Sequence, residues 1–192
     1  MEHLIEWDIE AFLWLNDHHL SWLDPVMFFL THTLAWTPLF MVLLYFIVKA
    51  HGKYSWIFLI GLTLTITCAD QVTSSVMKPH FQRLRPSHDP AISTAVHIVN
   101  NYKGGRYGFA SSHAANTFGA AAFIVLLLRR RYPGVGWLFL WAGLVSYTRI
   151  YLGVHYPGDL IVGGLIGAGF GWIFYQIAFV SEKRLKKGLG QH

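Results

Sequence analysis

Apolar stretches long enough to cross a bilayer recur along this sequence, and they constrain its fold more than any other feature. A transmembrane helix needs about 20 predominantly apolar residues. Runs of this kind cover about 34–50, 56–77, 112–128, 137–152 and 160–180. Charged residues make up only 13% of the chain and apolar residues 54%, whereas a soluble domain carries about 25% charged residues. With no water in the hydrocarbon core, each segment must satisfy its own backbone hydrogen bonds, which selects helices. The expectation is therefore an all-α, polytopic transmembrane helical bundle. At 192 residues its length fits one domain spanning 1–192.

The bundle is read as about five spans, with six possible. The uncertain stretch is 22–50, where Asp24-Pro25 starts a helix and Thr31-His32-Thr33 and Pro38 interrupt the apolar run. One short interfacial helix followed by one span fits this stretch; two full crossings are the alternative. Upstream, Leu4, Ile5, Ile9, Phe12, Leu13 and Leu15 alternate with four acids and two Trp, a spacing that predicts an amphipathic helix lying in the interface. Those acids stand where a signal peptide carries basic residues. The single Cys68 lies inside an apolar run, so neither a disulfide framework nor a cysteine metal site is expected. No basic face interleaved with aromatics indicates nucleic-acid binding. Among the glycines, Gly163, Gly164, Gly167, Gly169 and Gly171 are expected to permit close helix packing.

The cations set an expected topology. Lys49 and Lys53, Arg129 to Arg131, and the Lys183–Lys187 segment fall on one side of a five-span chain, which the positive-inside rule makes cytoplasmic. Nine Lys and Arg then lie inside and six outside: Lys78, Arg83, Arg85, Lys103, Arg106 and Arg149. Cations kept in a translocated segment point to an anionic ligand.

Three outward-facing motifs carry the chemistry. Lys78, Arg83 and Arg85, stiffened by Pro79 and Pro86, form a phosphate clamp or, alternatively, a patch that attracts anionic headgroups. Gly108 to His113 opens the third span, where free N–H groups at a helix start suit an anion. Ser111 is a candidate N-cap that has the option of offering its hydroxyl to a ligand instead. Arg149 to Asp159 places His155 just before the last span and Asp159 in its first turn. A bond between them would fix the imidazole tautomer and leave the other nitrogen free to attack; an interfacial Arg149 and a capping His155 are the bland alternative. Asp70, in the second span, either supports a polar network behind the site or makes a plain contact between helices.

Taken together, Lys78-x6-Arg85-Pro86, Ser111-x-His113 and Arg149-x5-His155-x3-Asp159 resemble the type 2 phosphatidic acid phosphatase family, which shares its site with the vanadium haloperoxidases. The resemblance covers roughly 56–180 and departs at Ser112, where the family usually has glycine. It implies a metal-independent lipid phosphatase without a cofactor. In that reading His155 attacks phosphorus, Asp159 orients it, and His113 protonates the leaving oxygen and then helps activate water. Lys78, Arg85, Ser111, Ser112 and Arg149 hold the phosphate oxygens. The short five-span form looks most like the bacterial undecaprenyl-diphosphate phosphatases. Phosphatidylglycerophosphate, phosphatidate and lipid A phosphatases share the motifs. The implied partners are a lipid phosphate from the bilayer and surrounding membrane lipids. The implied setting is a bacterial cytoplasmic membrane with the site on the outer face and the C-terminus inside. A non-catalytic lipid-phosphate binding or transport protein is the reading from another class.

Overall fold

The computed structural model describes residues 2–189. Among the described residues eight α-helices follow one another: α1 (Glu2–Asp17), α2 (Asp24–Leu30), α3 (Thr37–His51), α4 (Ser55–Gln71), α5 (Lys78–Phe81), α6 (Ser112–Leu128), α7 (Leu138–Tyr151) and α8 (Pro157–Leu189). Among the described residues the only extended pairing is a single bridge between Leu84 and Tyr107. Proline opens α2, α3 and α8 near their first turns, where its missing N–H costs no helical bond. In the uncertain stretch, α2 has seven residues, about 10 Å at 1.5 Å per residue. That is too short to cross a bilayer, and it leaves α3 as the long helix of that stretch.

Helix α6 is the centre of the bundle. Ala114, Ala115, Gly119, Ala120, Ala121 and Ala122 are buried, so neighbouring backbones approach closely. On α8, Gly163, Gly167 and Gly171 recur every four residues and face the carbonyl of Ser111, just before α6, and the Ala115 and Gly119 carbonyls of α6; a Cβ on any of them would collide with that backbone. Gly164 packs on the Phe118 ring, whereas Gly169 meets nothing and takes no part in the seam. One apolar core joins Leu43 and Ile47 of α3, Phe58 of α4, Phe123 and Leu128 of α6 and Leu138 and Trp141 of α7. A second cluster seats α1 through Phe12, against Ile150, Tyr156 and Leu160.

The two ends of the bundle differ. At one, Arg131 donates to the Ala50 carbonyl at 3.1 Å, His51 meets Glu182 at 2.9 Å and Lys186 lies over the Tyr54 ring. The basic connections thus gather together. The opposite end collects α5, the 86–107 segment, the start of α6, the end of α7 and the start of α8. Around the sides Leu34, Met41, Leu140, Ile161, Leu165 and Trp172 are exposed, an apolar surface suited to lipid. The apolar helical stretches Thr33–Phe81 and Pro157–Gly188 pass the length and hydropathy required for crossing.

Candidate active site

The turn from Leu152 to Tyr156 delivers His155 to the start of α8. Its Nδ1 meets Asp159 Oδ2 at 3.2 Å, one helical turn on, and both residues are fully buried. A carboxylate at Nδ1 fixes the proton there and leaves the lone pair on Nε2. Asp159 is itself held: Oδ2 accepts from the Tyr156 N–H at 3.1 Å and Oδ1 from Arg83 Nη1 at 3.0 Å. Burial, followed by the charges of Arg85, Arg149, Lys78 and Arg83, holds the His155 imidazole well below its ordinary pKa. Gly108 makes room for the pair, since a Cβ there would stand 3.0 Å from Asp159 Oδ2 and 3.6 Å from His155 Nδ1.

Three cations share a cavity of about 490 Å³ with His155. Lys78 Nζ donates to Ser112 Oγ at 2.7 Å, and that hydroxyl is 2.7 Å from Ser74 Oγ. Arg85 donates from Nε to the Tyr107 carbonyl at 3.1 Å, and its buried Nη1 has no partner. Gly104, at φ +64, leaves the space that this guanidinium occupies. Arg149, 1% exposed, donates to Thr31 Oγ1 at 2.6 Å and to Tyr102 Oη at 3.1 Å, with its Nε also unpartnered. An unsatisfied buried donor typically costs about 1–3 kcal/mol, more when charged. Such groups are retained where a ligand supplies the acceptor.

His113, on the first turn of α6, lines the same cavity beside Ser112. Ser111 stands apart. It is fully buried off the cavity wall, because its hydroxyl accepts from the Ala114 N–H and caps α6, while its own N–H donates to the Asp159 carbonyl. The helix cap is therefore its observed use, and Ser112 is the hydroxyl on the wall. Asp70 also lines the cavity and accepts from Asn116 Nδ2 at 3.3 Å. Between the end of α4 at Gln71 and Lys78 the chain is not α-helical: Val72–Met77 forms a π-helical segment. The Thr73 hydroxyl bonds back to the Ala69 carbonyl at 2.8 Å there. Segments of this kind displace one residue from the α-helical register and recur at functional sites; this one helps bring Ser74 and Lys78 together against Ser112.

Sequence reasoning missed four supports. Arg83, expected among the clamp cations, instead bridges Asp159 and Asp8 of α1, at 3.0 and 2.8 Å. Tyr102 and Thr31 hold Arg149, and Asn116 holds Asp70. Asp8 and Thr31 lie far from the motifs in sequence; the conspicuous signal available was a third cation inside the Lys78–Arg85 clamp. Of the loop histidines, His97 pairs with Asp24 at 3.1 Å and stacks on His19, outside the cavity. Among the described residues, no three His, Cys, Asp or Glu side chains are grouped to hold a metal ion. The cavity offers a phosphate three cations, a hydroxyl, a poised imidazole and a second imidazole. Asp70, Ser74, Tyr102 and Asn116 add further polar groups to the wall, and Trp36, Phe40, Ile66, Trp141 and Val145 give it an apolar side.

Comparison with known proteins agrees with this chemistry. The family described as PAP2 superfamily matches residues 57–183. A lipid A 4'-phosphatase of Bacteroides thetaiotaomicron is 42% identical over 97% of this chain and 83% of its own length. Another, from Porphyromonas gingivalis, is 32% identical over 96% of this chain and 78% of its own. An undecaprenyl-diphosphatase of Sulfolobus acidocaldarius is 30% identical over 92% of this chain and 81% of its own. Among solved structures, Aquifex aeolicus LpxE superposes with a TM-score of 0.64 at 25% identity, covering 88% of this chain and 94% of that one. A Bacillus subtilis PAP2-type phosphatidylglycerolphosphate phosphatase shares the fold at a TM-score of 0.68 and 19% identity, covering 92% and 87% of the two chains.

Proposed function

This chain belongs to the PAP2 superfamily and is an integral membrane lipid phosphatase, and from that premise we propose that it removes the phosphate of a lipid A-type saccharide lipid at the outer face of the membrane. The lipid keeps its acyl chains in the bilayer while its phosphate enters the cavity between the helix ends. The observation that carries the chemistry is the convergence of Lys78, Arg85 and Arg149 on the cavity that His155 and His113 line, with charged N–H groups of both arginines unpartnered.

In this reading His155 Nε2 attacks phosphorus and the bond to the leaving oxygen breaks. His113 gives that oxygen its proton. Asp159 holds the imidazole and stabilises the charge it acquires. Water then attacks the phosphohistidine, its proton passes to His113, and inorganic phosphate leaves. Lys78, Arg85, Arg149 and Ser112 neutralise the non-bridging oxygens throughout; cation clamps of this type supply much of the catalysis in phosphoryl transfer. Three cations perform the role that a divalent ion has elsewhere, so phosphate release is expected to persist in excess EDTA. The 79–107 segment and α1 are the expected seat of headgroup selection, and the basic end is the expected cytoplasmic end.

The saccharide-lipid reading is supported by the two lipid A 4'-phosphatases that align with nearly the whole chain. Undecaprenyl diphosphate is the second reading, supported by the archaeal relative. The test is phosphate release by the purified protein from lipid A, undecaprenyl diphosphate, phosphatidylglycerophosphate and phosphatidate, with and without EDTA. Lipid A is expected to be turned over fastest, and His155→Ala to be inactive. A His155→Ala protein at the wild-type rate would refute the nucleophile, and faster release from undecaprenyl diphosphate would reverse the order of substrates.

A further inference from the structure

Arg83 sits between two carboxylates. Its Nη1 donates one hydrogen to Asp159 Oδ1 at 3.0 Å and lies 2.8 Å from Asp8 Oδ2, so a single terminal nitrogen serves both. The guanidinium carbon lies over the Tyr156 ring, 4.0 Å from its centroid, and the Tyr156 hydroxyl donates to Asp89 at 3.1 Å. Asp8 is fixed from its other oxygen, which accepts the Gly158 N–H at 2.7 Å. A carboxylate at a helix start is favoured by the exposed N–H groups and the helix dipole. That helix start is the first turn of α8, which also carries Asp159. Any side chain at Gly158 would press on Asp8, since a Cβ there falls 2.8 Å from its Oδ2. Helix α1 is in turn clamped to the body of the protein. Phe12 is fully buried edge-on to Tyr156, and the Asn16 amide donates to the Ile150 and Tyr151 carbonyls at 3.0 Å.

We propose that Asp8, on the N-terminal helix, is a positioning residue for phosphoryl transfer, acting through Arg83 and Asp159 on His155. The proposal rests on the reading of His155 as the nucleophile. Asp159 divides its two oxygens: Oδ2 serves His155 and the Tyr156 N–H, and Oδ1 serves Arg83. The Arg83 contact therefore stops the carboxylate from turning about its Cβ–Cγ bond and losing its aim at Nδ1. Arg83 is the most exposed member of the chain, 24% against 15% for Asp8 and 0% for Asp159. Without Asp8 it has an open route to water, and the orientation of Asp159 goes with it.

A double-mutant cycle tests this in the full chain with the isosteric Asp8→Asn, the neutral and shorter Arg83→Gln, and the pair, with thermal unfolding of each variant read beside its activity. Phosphate release is followed from whichever lipid of the panel the wild type hydrolyses. Asp8→Asn is expected to lower kcat about fivefold and Arg83→Gln more than about tenfold, both with KM little changed. The double variant should be no slower than Arg83→Gln alone. Losses that multiply would show that Asp8 merely caps α8 and would overturn the proposal, as would an Asp8→Asn kcat equal to wild type. A second readout needs no turnover. In ring-labelled protein the His155 Nδ1 proton, bonded to Asp159, should shift in Asp8→Asn as well as in Arg83→Gln, and an unmoved resonance in Asp8→Asn counts against the coupling. Inactive His155→Ala with a positive cycle supports both ideas. Active His155→Ala removes the nucleophile whatever Asp8 does.

Discussion

Adding one methyl group at Gly167 tests how the site is held together. A Cβ there would overlap the Ala115 carbonyl oxygen and stand 2.7 Å from its carbon and 2.8 Å from Cα. Ordinary carbon contacts are about 3.5–4.0 Å, so the α6 and α8 backbones must separate by about 1 Å. No rotamer change relieves a clash with main chain, which places Gly167→Ala at the upper end of the overpacking range, about 3 kcal/mol. The helix-propensity gain of alanine over glycine, about 1 kcal/mol, offsets part of this and leaves a loss of about 2 kcal/mol. Gly169→Ala is the matched control. It gains the same propensity and meets nothing within 4 Å, so it should be neutral or stabilising by up to about 1 kcal/mol. Denaturant unfolding in detergent micelles reads the difference, about 3 kcal/mol between the two variants. Activity should follow, because the seam sets the distance from Ser111 to α8 and the Ser111 N–H bonds the Asp159 carbonyl at 2.9 Å. A shift of about 1 Å at a reacting centre costs up to about 100-fold in rate. Equal stabilities for the two variants, or full activity in a destabilised Gly167→Ala protein, would refute the argument.

Three more outcomes are expected. Gly108→Ala should lower kcat about tenfold with little effect on unfolding, since its Cβ presses on Asp159 Oδ2 and on Arg85 Cγ at 3.2 Å; steady-state kinetics beside thermal unfolding checks this. Arg149→Lys should cut kcat/KM by about 100-fold, because an ammonium cannot reproduce the fork that holds Thr31 and Tyr102 and still reach a phosphate oxygen. The buried His155 makes stability depend on pH in a definite direction. Its folded-state pKa is depressed, so below the unfolded value of about 6.5 the unfolded chain binds the extra proton and folding weakens. Its contribution is complete above about pH 6.5 and is lost as pH falls; unfolding midpoints should drop in that window less steeply in His155→Gln.

The parts of the site that local rules govern were legible in the sequence. Pro157 fixes where α8 starts, so His155 and Asp159 fall one turn apart, and Ser111 caps α6 as its position before the helix predicts. The glycine seam was legible as a group, but its membership was not. Helical phase selects Gly163, Gly167 and Gly171 and leaves Gly169 on an open face. What stayed hidden depends on contacts distant in sequence. Asp8 reaches Arg83 and Gly158, and Thr31 reaches Arg149, across 75, 150 and 118 positions; nothing in their immediate neighbours marks them. The π-helical Val72–Met77 stayed hidden for a different reason. Its residues are ordinary helix occupants, and the departure from α geometry comes with the Thr73 hydroxyl bonding to the backbone one turn earlier.

The cations of the cavity set stability against activity. Lys78, Arg85 and Arg149 line one space, and their hydrogen-bond partners among the described residues, Ser74, Ser112, the Tyr107 carbonyl, Thr31 and the Tyr102 hydroxyl, are all neutral groups. Their mutual repulsion opposes folding and is relieved by a bound anion, phosphate as product included. Inorganic phosphate and vanadate should therefore both protect the protein against heat and slow its turnover, since one electrostatic demand governs both effects. Substitutions that discharge the cavity, Arg85→Met among them, belong to the class that strengthens a fold by dismantling its chemistry.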